Sequence, residues 1–168
     1  GNSFMGYGCG QATTTGSWNT AVGRAAFTSN TTGGANVVMG VNALQSNTTQ
    51  GENVAIGYQA LMTATANTNT AVGNEAGEKT TTGYANVYIG MRAAEESTTA
   101  YQSTAVGAYA LDDCTTGIKN TALGWDAGGD VSTGGHNVYV GTAAGNNHTT
   151  GSNSIYIGNG SAASAGGE

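Results

Sequence analysis

Proline is absent from this 168-residue chain, which also carries only four Lys and Arg, two Cys, two Trp and two Phe. Each shortage excludes something. Four basic against ten acidic side chains leave a net charge of −6. Phosphate backbones and anionic membrane surfaces need a dense cationic footprint, so neither is expected as a partner. Two cysteines, Cys9 and Cys114, cannot build a disulfide framework. No apolar run approaches the ~18 residues of a membrane span, and nothing is laid out as a signal peptide. The chain begins and ends inside its own pattern, as expected of a mature protein or of an excised segment. Gly, Ala, Thr and Asn make up more than half of the residues. Such small side chains cannot fill a thick hydrophobic core.

What the chain does have is a phrase repeated ten times. Its copies end in Gly6, Gly23, Gly40, Gly57, Gly73, Gly90, Gly107, Gly124, Gly141 and Gly158, spaced by 17 residues except for one step of 16. Low-complexity linkers do not hold register in this way; a short, regular period means stacked supersecondary units. The position before each Gly is apolar in every copy, from Met5 and Val22 to Val140 and Ile157, and the position three before is mostly β-branched. Two residues apart, these columns share one face of a strand, and that face is expected to be the inner one. The column between them, Ala21, Ala55, Tyr88 and Tyr139 among others, is then expected to face outward.

Four before the Gly stands Asn in eight copies, with Ser103 and Ser154 in the others. Stacked Asn side chains form ladders from rung to rung. Three after the Gly stands Ala in eight copies, with Cys9 and Ser161 at the ends; this marks a line of close approach. Thr-Thr-Gly-like turns such as Thr31-Thr32-Gly33 and Thr115-Thr116-Gly117 close each unit. The repeat therefore reads as strand, Gly bend, second short strand and turn. The short copy is expected to lose its residue in the turn at Ala64-Thr65-Ala66-Asn67. Residues 1–168 make one repeat domain, an all-β parallel solenoid of ten rungs and about 48 Å at the strand spacing. A helix is excluded by the wrong period and by a Gly cost of about 1 kcal/mol per copy.

The rows Asn19-Thr20-Ala21-Val22-Gly23, Asn53-Val54-Ala55-Ile56-Gly57 and Asn69-Thr70-Ala71-Val72-Gly73 resemble the head repeats of trimeric autotransporter adhesins. They are also similar to repeats of phage tail fibres and other surface fibres. The resemblance spans Asn2 to about Ala162, although the 17-residue row is longer than the usual adhesin row. It implies a left-handed β-roll, three chains side by side, and an extracellular role at a cell surface or on a virion. A thin interior also favours burial against sister chains, for which a three-fold bundle is a closed solution.

Candidate chemistry is sparse. Glu78-Lys79, Glu95-Glu96, Asp112-Asp113 and Asp130 stack on successive rungs. Opposed like charges need relief from Lys79, from solvent, or from a divalent cation such as Ca²⁺. Glu75 and Arg92 share a column on adjacent rungs and read as an ion pair of little worth if exposed. His136 and His148 sit at different phases, so no metal spacing arises. Cys9 and Cys114 are six rungs apart, too far for an intrachain disulfide. Asn30, Asn47, Asn147 and Asn159 open N-x-Ser/Thr sequons that permit glycosylation. Tyr58, Trp125, Tyr84 and Tyr101 are available to stack on sugars or to cover the rod. The Thr pairs are adjacent rather than two apart, so they do not form the flat array of an ice-binding solenoid.

The expected function is a structural and adhesive module: a homotrimeric rod of an extracellular fibre, with a receptor- or glycan-contacting surface and no catalytic residues. The rival from another class is a carbohydrate-active solenoid enzyme, which would need long loops around a cleft; rows of 16 or 17 residues leave no room for them. Open strand edges at the two ends invite flanking domains or head-to-tail assembly. The stretch from Ser161 to Glu168 is expected to be too short and too rich in Gly and Ala to cap the last rung.

Overall fold

The computed structural model describes residues 1–162. Ten three-residue strands fall where the phrase repeats: β1 (Ser3–Met5), β2 (Thr20–Val22), β3 (Val37–Met39), β4 (Val54–Ile56), β5 (Thr70–Val72), β6 (Val87–Ile89), β7 (Thr104–Val106), β8 (Thr121–Leu123), β9 (Val138–Val140) and β10 (Ile155–Ile157). They form one parallel sheet in chain order, each pairing with the equivalent residues of the next rung. The molecule is a β-solenoid of about 17 residues per rung. No helix long and apolar enough to cross a membrane occurs among the described residues. The end of the chain beyond Ala162, expected to leave the last rung uncapped, lies outside them.

Three corrections follow. First, the strand faces are reversed. From β2 to β9 the middle residue of the strand is the buried one: Ala21, Ala55, Ala71, Ala105, Ala122 and Tyr139 have no exposed surface. The flanking apolar columns, expected inside, face solvent. Second, the stretch after the Gly is not a strand. Its backbone is left-handed at two alternate positions, as at Ala25 (φ 53°) and Phe27 (φ 55°) or Gln59 (φ 55°) and Leu61 (φ 50°). Such a backbone cannot pleat, yet it still pairs: the Ala25 N–H donates to the Tyr7 carbonyl on one side, and the Phe27 N–H to Ala43 on the other. Third, the core is two-sided, because Phe27, Leu44, Leu61 and Leu111 from this stretch meet the middle strand column.

The Asn ladder is present. Asn19 Oδ1 accepts from the Asn36 backbone N–H at 2.9 Å and from Asn36 Nδ2 at 3.0 Å. Asn19 Nδ2 donates to the Gly33 carbonyl at 2.8 Å, and Asn69 and Asn86 do the same to Gly83 and Ala100. Each Asn thus ties a strand to the turn of the next rung. Where Ser103 replaces Asn, its Oγ accepts the Asn120 N–H at 3.2 Å but has no reach to the turn.

The short row loses its residue in the expected turn. Thr65 Oγ1 donates to the Thr81 carbonyl as Thr31 does to Thr48, and Ala66 supplies the carbonyl that Asn53 Nδ2 reaches at 3.0 Å. The missing residue is therefore the second, exposed Thr of the turn, the position held by Thr32, Thr49 and Thr82. Strand register passes undisturbed from β4 to β5, with Val54 opposite Thr70.

Candidate functional site

The largest uncovered feature is the outer strand face. Val37, Met39, Ile89, Leu123, Ile155 and Ile157 are exposed large hydrophobics, and Met39 and Leu123 each keep about half of their surface in solvent, 49% and 51%. Ser3, Thr20, Thr70, Thr104 and Thr121 interrupt the column three before the Gly; the column just before it is apolar throughout. β-branched and long aliphatic side chains two residues apart and one rung apart make a flat strip along the whole rod. A contiguous apolar strip of that kind marks an interaction surface, unlike singly scattered hydrophobics.

The acidic stack forms a second feature. Carboxylate oxygens of Glu75, Glu78 and Glu95 lie within 4.8 Å of one another. Arg92 sits among them: its guanidinium bonds Glu95 and lies 4.0 Å from Glu75, so the expected cross-rung pair exists but the local pair within the rung is closer. Lys79 bonds Glu96 across one rung, the expected relief. Burial, then the charges of Glu95 and Glu75, holds the Glu78 carboxyl above its usual range. Asp112 is pushed up to about 6, chiefly by burial, against the pull of Arg92. The chemistry here is charge neutralisation by two cations, and Arg92 also places its guanidinium 5.5 Å from the centre of the Tyr109 ring.

A third feature is a groove of about 410 Å³ over β2 to β5, floored by Gly34 and Gly51 and lined by Trp18, Thr49, Glu52 and Asn67, among others. Sequence reasoning missed it. Its signal was present: the one short row removes a turn residue from the wall of exposed threonines, and Trp18 stands in a column otherwise held by small or polar residues.

The four sequon asparagines divide. Asn147 and Asn159 are exposed. Asn30 and Asn47, whose sequons permit a sugar, are fully buried in the rod, where a folded rung leaves a glycan no space. Cys9 and Cys114 are both free thiols, and burial pushes Cys114 up to about 11, an inert sulfhydryl. His148 is buried and shares a 2.6 Å hydrogen bond at Nδ1 with the Tyr139 hydroxyl, whereas His136 is exposed. Of the aromatics, Tyr84 and Tyr101 stack on each other at 5.1 Å, and Trp125 meets Tyr109 edge-on. In several turns the first Thr spends its hydroxyl on the next rung, as Thr31 does on the Thr48 carbonyl and Thr81 on the Thr98 carbonyl.

Comparison with protein-family models, with curated proteins and with solved structures returns no match.

Proposed function

We propose that this chain is a rod-forming segment of an extracellular fibre, at a cell surface or on a virion, in which three copies pack side by side and present an adhesive, glycan-contacting outer surface. The observation that carries the reading is the outward apolar strand face. A solenoid whose interior is mostly Ala, with single Tyr, Leu and Phe fillers, gains little from its own core. The same chain leaves a strip of Val, Ile, Met and Leu in water, where each half-exposed aliphatic forgoes about 1 kcal/mol of burial. Three copies turned about a common axis bury one strip each in a closed arrangement that leaves no further strip to recruit copies. The resemblance of the Asn-Thr-Ala-Val-Gly rows to adhesin heads and tail fibres points the same way.

The test is the native mass in solution by light scattering. The expected particle is three times the 16.6 kDa chain. A single-chain mass at micromolar concentration overturns the reading. An open-ended ladder of masses replaces the closed bundle with end-to-end stacking of rungs through the outer edges of β1 and β10.

A further inference from the structure

We propose that the groove at the short rung is a binding site for a neutral pyranose oligosaccharide. The inference rests on the reading of the rod as a surface that meets glycans, and it names where and by what chemistry.

The groove owes its shape to the sequence. Between Ser17 and Asn67 its floor has no side chains, because Gly34 and Gly51 occupy the column where later rungs carry Tyr84, Tyr101 and Ile118. One wall is made by the exposed turn threonines, Thr32 and Thr49. That wall stops at Thr49, since the next rung has no residue at the equivalent position. The opposite column is left-handed at every rung, with φ of 60° at Trp18, 58° at Ala35, 61° at Glu52 and 61° at Thr68. These Cα positions are therefore set by the backbone of the stack rather than by a mobile loop.

The lining has the chemistry of sugar recognition. Trp18 leaves 76% of its surface uncovered, an unusual exposure for an indole, and supplies a flat apolar face for the C–H side of a pyranose. Glu52 takes part in no ion pair among the described residues and offers two acceptor oxygens to vicinal hydroxyls. Asn67 is held in place by accepting the Gly51 N–H at Oδ1, 3.0 Å away, which leaves its amide protons for a ligand. Trp18, Glu52 and Asn67 come from the second, fourth and fifth rungs, so the groups follow one another along the rod axis at the strand spacing of about 4.8 Å per rung. An extended oligosaccharide laid along the axis meets them in turn. An open trough suits an internal stretch of chain rather than an enclosed small molecule. The Glu52 carboxylate and the net charge of −6 select against sialylated or uronic-acid sugars.

The experiment is titration of the native assembly with chitotetraose, cellotetraose and mannotetraose, and with trigalacturonate as the acidic comparison, read by calorimetry and by tryptophan emission. At least one neutral tetraose is expected to bind saturably and trigalacturonate is not. Trp18→Ala is expected to weaken binding by about tenfold or more, and Trp125→Ala to leave it unchanged. A variant with one Thr inserted between Thr65 and Ala66 restores the wall and is expected to lose the site while keeping the wild-type mass. Absence of binding by all three neutral probes, or equal binding by the Trp18→Ala variant, overturns the inference. A single-chain mass with Trp18-dependent binding overturns the trimeric fibre and leaves the groove standing; a trimer that binds nothing does the reverse.

Discussion

At the anchor glycines, backbone conformation and packing impose the same choice. Gly124 has φ of 137°, and a Cβ built on it meets the Gly141 carbonyl oxygen at 2.6 Å. Gly158 has φ of 120° but nothing within 4 Å of the same point, because no described rung lies beyond it. Gly158→Ala is thus expected to cost only backbone strain, about 1–3 kcal/mol. Gly124→Ala adds an overpacked backbone contact of about 1–3 kcal/mol, and urea unfolding of the two variants measures the difference. Single titratable groups set a second residue-scale effect. Burial raises the folded pKa of Asp112 to about 6 from 3.8, so the folded chain binds more protons than the unfolded one in that window. Its contribution therefore destabilises above pH 6 and fades as pH falls toward 4. His148 runs the other way. Burial lowers its pKa from 6.5, its Nδ1 is tied to the Tyr139 hydroxyl, and the fold loses stability as pH drops below 6.5. The two slopes oppose each other in the wild type. Asp112→Asn is expected to raise stability at pH 7 and to shift the slope between pH 7 and 5 toward a loss on acidification relative to the wild type. His148→Ser, which copies the Tyr88–Ser97 hydroxyl pair of an earlier rung, is expected to uncover a gain. Thermal melts across that range decide; identical slopes in both variants would remove the assignment.

At the scale of one rung, the interior from β4 to β9 follows a size rule. The middle strand residue packs against the residue four after the Gly, in its own rung and in the rung before. Where that neighbour is Leu61 or Leu111, the strand residues are Ala55 and Ala71, or Ala105 and Ala122. Where the strand residue is Tyr88, the neighbours shrink to Gly77 and Ala94; at Tyr139 they shrink to Gly128 and Gly145. A Cβ on Gly128 falls 2.7 Å from the Tyr139 ring and 2.9 Å from Leu111. Tyr139→Ala is expected to cost about 3–5 kcal/mol through the void it leaves, and Gly128→Leu to cost about 1–3 kcal/mol by overpacking. Because Leu61 and Leu111 already adopt φ of 50° and 54° in that column, the double substitution reproduces a native packing level. Its measured destabilisation is expected to be smaller than the sum of the singles; strict additivity would show that the two sites do not share one space. This rule was legible in the sequence as an exchange of large and small residues between two columns. Reading one strand column at a time hid it, and hid the facing with it. Val and Ile two apart look like a core, while a column of Ala looks like filler. Inside a rung this narrow, Ala is what fits, and the Asn ladder and the row period, both legible beforehand, are indifferent to which face points in. The groove was harder to foresee, because it arises from a missing residue next to side chains drawn from four rows.

Across the whole molecule, each strand pairs only with its neighbours in the chain, so stability accumulates along one dimension and no distant segment braces a weak rung. Such a rod with an Ala-rich interior gains most from a lateral partner that spans many rungs at once. The outer strip does so from β1 to β10, and an association through it stabilises the folded rod by mass action. The melting temperature of the wild type is then expected to rise with protein concentration. Ile89 and Val106 lie on adjacent rungs near the middle of the strip, one opposite the other in the sheet. Replacing both by Lys places two charges where the proposed trimer axis is driest, and leaves the buried Tyr88 and Ala105 between the columns untouched. Ile89→Lys with Val106→Lys is expected to reduce the native mass to 16.6 kDa and to abolish the concentration dependence, with the β-sheet circular dichroism retained at low temperature. Tyr84→Lys, an exposed position on a different face, is expected to alter neither mass nor concentration dependence. If the double lysine variant keeps a trimeric mass, the strip is not the lateral contact. The apolar outer columns would then need another occupant, since a solvated strip of this length forgoes burial at every rung.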